Sequence, residues 1–218
     1  MSSLFKVALA IHVVFGGVAL VIAPLAIVTV KGGLWHRRWG KVYFWAMAGV
    51  ALSAALLCWL RTGLFLFLIA VFSFYLALTG YRVLRRKKPG DRATALDWCA
   101  AAAVLLASGA LILTGALGES EGGLRWVRII FGVVGLSLGG TEVWHFLRPP
   151  SDKRAWMYAH MTRFLSAYIA TVTAFSVVNF RFMPFLWRWL WPTVIGTAGI
   201  LIGRAYYRRK LAGQKRAA

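Results

Sequence analysis

Six side chains in this sequence could do chemistry at one level of the chain: His36, Asp97, Glu142, His145, His160 and Arg163. Glu142 and His145 are three residues apart, as are His160 and Arg163, so on helices each pair shares a face. Imidazole and carboxylate together suit zinc or iron. Glu142-x-x-His145 has the spacing used by di-iron bundles, although those need two such motifs and only one is present. The expected ligand set is therefore Glu142, His145, His160, His36 and Asp97, with Arg163 and Tyr43 behind them. Iron, haem or zinc is the cofactor such a set implies. The competing readings are a buried ion pair between Glu142 and Arg163, and Asp97 as the cap of the helix that begins beside it.

These residues must be positioned by helices in a bilayer. The chain has 218 residues, 60% of them hydrophobic, with mean hydropathy +0.69 and net charge +20. That is too apolar for a soluble domain. The charge lies between apolar runs, which argues against a nucleic-acid binder and for loops facing anionic lipid headgroups. Seven runs are long enough to span: Leu4–Val30, Val42–Leu60, Leu64–Leu84, Ala93–Leu117, Leu124–Leu147, Met157–Asn179 and Phe185–Gly203. The first is too long for a cleaved signal and is expected to remain as a span. The fold class is thus an all-α integral membrane protein, a bundle of seven transmembrane helices. Residues 1–203 form one domain and residues 204–218 a basic tail.

Orientation follows from the loops. The connections after spans one, three and five, with the C-terminal tail, carry Lys31, Arg37, Arg38, Lys41, Arg82, Arg85, Arg86, Lys87, Lys88, Arg92, Arg148, Lys153, Arg154, Arg204, Arg208, Arg209, Lys210, Lys215 and Arg216. The other end carries Lys6, Arg61, Arg125, Arg128, Arg181 and Arg188, with Glu119 and Glu121 beside them. This bias places the N-terminus outside and the C-terminus in the cytoplasm. Two tryptophan belts are expected, with Trp35, Trp39, Trp45, Trp98, Trp144 and Trp156 inside and Trp59, Trp126, Trp187, Trp189 and Trp191 outside. Cys58 and Cys99 fall near opposite faces and are read as small core residues rather than a disulfide.

The six site residues then sit near the cytoplasmic face. If a helix begins near His36, then His36, Gly40, Tyr43 and Met47 share one side of it. His12 lies about two turns in from the other face, so it cannot share their ligand sphere. It is read as a polar residue bonded to a neighbouring helix, or as a step in a proton relay. Two haems at two depths would need a second outer histidine, which leaves one inner haem. Gly132, Gly135 and Gly139 form a small-residue face on span five, suited to close helix packing or to a homo-oligomer or membrane partner. Of the prolines Pro24, Pro184 and Pro192, only Pro24 lies well inside an expected span. Dinucleotide, phosphate-loop, nucleophile-elbow and zincin motifs are absent.

The stretches His36-Arg37-Arg38-Trp39-Gly40-Lys41-Val42-Tyr43, Leu78-Thr79-Gly80-Tyr81-Arg82, Leu96-Asp97-Trp98 and His160-Met161-Thr162-Arg163 together resemble an uncharacterised family of bacterial multi-pass membrane proteins. The resemblance runs from the first span to the sixth. It implies a protein of the bacterial inner membrane and carries no activity with it. Three functions fit the residues: a metal-dependent or redox protein with its site open to the cytoplasm, a non-catalytic membrane subunit or assembly factor, and a proton-coupled transporter.

Overall fold

The computed structural model describes residues 3–61, 63–88, 90–118 and 122–216, and side chains as far as residue 211. Glu119 and Glu121, counted above among the outer charges, lie outside the described residues, as do the side chains of Lys215 and Arg216. The described chain is all-helical: α1 (Ser3–Val28), α2 (Leu34–Arg61), α3 (Leu64–Arg82), α4 (Ala95–Ala116), α5 (Gly123–Leu147), α6 (Ala155–Asn179) and α7 (Phe185–Arg216). A single 3-10 turn, Val83–Arg85, extends α3. All seven are long and apolar enough to cross a membrane. Helices satisfy every backbone donor and acceptor within the segment, which a bilayer core demands.

The helices form three hairpins, α1–α2, α4–α5 and α6–α7, assembled around α3. Phe72, Tyr75, Leu76 and Ala77 of α3 meet Tyr43 and Met47 of α2, Val104 and Leu111 of α4, Phe131 of α5 and Ala167 of α6 in one core. The outside of the bundle is apolar, with Val13, Leu52, Leu106, Val178 and Ile202 all exposed. A surface of that kind suits lipid. Gly139 of α5 faces α4 so closely that a Cβ there would lie 2.9 Å from Val104 and Leu105. Gly132 and Gly135 lie against the Ser108–Ile112 turn of the same helix. The glycine face is therefore filled by α4 of its own chain, and any partner would have to use another surface.

Several local expectations change. Helix α2 begins at Leu34, eight residues before the apolar run, because the basic segment around Arg37, Arg38 and Lys41 continues the helix beyond its apolar part. The basic tail is likewise the end of α7, which continues to Arg216 and contains Pro192. Trp189 is buried against Phe65, Phe131 and Phe185 instead of joining an outer belt. Cys99 is exposed on α4 rather than part of the core, and both cysteines are free.

Candidate functional site

The ends of α2, α4, α5 and α6 that carry the basic connections hold all six residues, around the end of α3. They divide into a charge cluster and a histidine pair.

The charge cluster begins with local sequence. Thr94-x-x-Asp97 forms a capping box at the start of α4, in which the Thr94 N–H donates to the Asp97 carboxylate at 2.8 Å. The Thr94 hydroxyl donates to it as well, at 2.9 Å. Arg82, at the end of α3, then donates through Nε and Nη2 to the two carboxylate oxygens at 2.6 and 2.9 Å. This two-point geometry is the strongest form of the arginine–carboxylate pair. Asp97 is 1% exposed, so the pair is buried. Arg86, one turn further on, donates to Glu142 Oε1 at 2.8 Å and lies 3.9 Å from Asp97. Arg163 of α6 holds the other Glu142 oxygen and donates to the Thr79 carbonyl. Burial lowers the pKa of the Arg86 guanidinium, and Asp97 opposes that shift. Three guanidinium groups thus surround two carboxylates.

The histidine pair is formed by His160 of α6 and His36 of α2. His160 Nδ1 is 2.8 Å from the Gly80 carbonyl of α3, and His36 Nδ1 is 2.9 Å from the Ala26 carbonyl of α1. A carbonyl only accepts, so both Nδ1 atoms carry the proton and both Nε2 atoms are left as acceptors. The two ring centres are 6.2 Å apart. Gly80 makes the approach of α6 possible, since a Cβ there would strike the Phe164 ring and come within 3.2 Å of the Arg163 Cβ. Phe164 packs on His160 and on Tyr43. Tyr43 is buried and shares Thr171 of α6 with Met47, at 3.3 and 3.4 Å. The His36, Tyr43 and Met47 face read from the sequence is thus the face that α2 turns to α6.

The five expected ligands do not form one set. Among the described residues, no three His, Cys, Asp or Glu side chains are grouped as a metal would need. The carboxylates Asp97 and Glu142 are already neutralised by arginine, and His145 stands in a cavity beside Glu142, away from the His36–His160 pair. That cavity, about 90 Å³, is also lined by Arg163 but not by His160. His12 is bonded to Ser53 of α2 at 3.1 Å. Sequence reasoning had assigned Arg82 and Arg86 to the loops as topology signals. Their four-residue spacing, opposite the Thr94-x-x-Asp97 cap, was the available sign of a pairing site.

Comparison with family models, with curated proteins and with solved structures finds no match to this chain.

Proposed function

We propose that this is a protein of the bacterial inner membrane, N-terminus outside and C-terminus cytoplasmic, that holds a redox metal between His36 and His160 at its cytoplasmic end. The observation that carries the reading is the pair itself. Two imidazoles from α2 and α6 meet edge to face, fixed in tautomer by backbone carbonyls of α1 and α3. Such an outer hydrogen bond is the usual companion of a metal-binding histidine. With metal–nitrogen bonds of about 2.0 Å, two rings sharing one ion have centres about 6 Å apart, close to the separation observed.

No carboxylate joins the pair, which favours a centre needing only two protein ligands. Haem iron meets that condition, because the macrocycle supplies four donors of its own. The chain's part would be to hold the group through His36 and His160, keep those rings in register through the Ala26 and Gly80 carbonyls, and shield one side with Phe164.

The test is iron analysis and absorption spectroscopy on protein purified without a histidine tag. One equivalent of iron with a Soret band is expected, lost in His36→Ala and His160→Ala and retained in His12→Ala and His145→Ala. Metal-free protein, from cells supplied with iron and haem, would refute the reading.

A further inference from the structure

A second site lies beside the pair, in the cavity between α3, α5 and α6. Arg86, Lys87, Lys88 and Arg163 line it, with Glu142 and His145. Asp91 and Asp152 complete its charged lining, so four cations face three carboxylates. All three carboxylates are engaged. Glu142 is held by Arg86 and Arg163, Asp91 accepts the Lys88 N–H at 2.8 Å, and Asp152 accepts the Arg154 N–H at 2.9 Å. Arg86 and Arg163 are paired with Glu142 in turn, but one donor is left over. Arg86 Nε is buried without a hydrogen-bond partner. A buried donor of this kind is costly to leave unmade, and a guanidinium cannot shed its proton to avoid the cost.

We propose that the cavity binds a phosphate group, with Arg86 Nε as its anchoring donor and Lys87 and Lys88 at its mouth. An oxyanion supplies both the acceptor that Nε lacks and the negative charge that the three-arginine cluster is short of. The volume, about 90 Å³, is enough for one phosphate-sized group. The cavity lies at the basic end of the bundle, where both free phosphate and a phospholipid headgroup could reach it. This site is independent of the metal reading and can stand or fall without it.

The experiment follows thermal unfolding of the tag-free full chain in a neutral detergent. Titrants are inorganic phosphate, sodium chloride at matched ionic strength, and mixed micelles of phosphatidylglycerol or phosphatidylcholine. A saturable rise in midpoint with phosphate but not chloride is expected if the free anion is the ligand. The same rise with phosphatidylglycerol and not with inorganic phosphate assigns a lipid headgroup. Arg86→Lys keeps a cation opposite Glu142 but has no Nε, and should weaken apparent affinity about tenfold. Lys88→Gln, outside the ion pairs, should weaken it less and serves as the readout if Arg86→Lys does not fold. Equal responses to phosphate and chloride, together with no lipid response, would overturn the proposal. So would undiminished affinity in both variants.

Discussion

Replacing Asp97 by asparagine keeps the shape of the side chain and removes its charge. Four donors address the carboxylate in the native protein: Arg82 Nε, Arg82 Nη2, the Thr94 N–H and the Thr94 hydroxyl. Asparagine retains one acceptor oxygen, and its amide nitrogen would point a donor at donors. Arg82 is only 9% exposed and cannot deprotonate, so its charge stays buried without compensation. Breaking one side of a buried pair costs about 3–5 kcal/mol. At about 2–4 °C per kcal/mol for a chain of this length, the unfolding midpoint should fall by about 6–20 °C. Thr94→Ala loses a hydroxyl that donates to Asp97 and accepts from Arg82 Nη2 but leaves the two charges paired, about 1–2 kcal/mol, and sets the internal scale. The assay is tryptophan fluorescence during heating in detergent, with loss of the monodisperse peak on size exclusion as a second probe. Combining Asp97→Asn with Arg82→Gln removes the stranded charge, so the double variant should lose less than the sum of the two single variants. A fall for Asp97→Asn no larger than for Thr94→Ala would refute the claim that this buried pair ties α3 to α4.

Further outcomes follow from packing and topology. Gly139→Ala should destabilise by about 1–3 kcal/mol, because its Cβ would sit 2.9 Å from Val104 and Leu105. The adjacent Gly140→Ala meets nothing within 4 Å and should be neutral or gain up to about 1 kcal/mol from helix propensity; both are read by thermal unfolding. Ser108→Ala removes a buried hydroxyl that has no hydrogen-bond partner, so the midpoint should hold or rise. A fluorescent protein fused after Ala218 should fluoresce, and alkaline phosphatase fused there should be inactive; the reverse pattern would invert the orientation.

The spans were legible in the sequence because apolar length is a one-dimensional property. Two helix limits were not, at Leu34 and Arg216, since hydropathy marks the edge of the lipid and not the end of the hydrogen-bonded helix. The site was legible in depth and partly in pairing. Spacing put His36, Asp97, Glu142, His145, His160 and Arg163 at one end, and the Glu142–Arg163 pair and the Asp97 cap read from the sequence are both present. The close approach of α6 to α3 was not legible, since it is set by the missing side chain of Gly80. Arg82 and Arg86 were counted as loop charges because their residue type alone is a topology signal. Only the three-dimensional turn at the end of α3 aims them at Asp97 and Glu142.

Helix α6 is docked on α3 by two side chains that reach for main-chain oxygens, His160 for that of Gly80 and Arg163 for that of Thr79. Every amino acid carries that oxygen. The partner surface on α3 is thus its main chain at positions 79 and 80, and it is sensitive to bulk at position 80. A search for covarying residue pairs would miss this joint, because one side of it has nothing to vary.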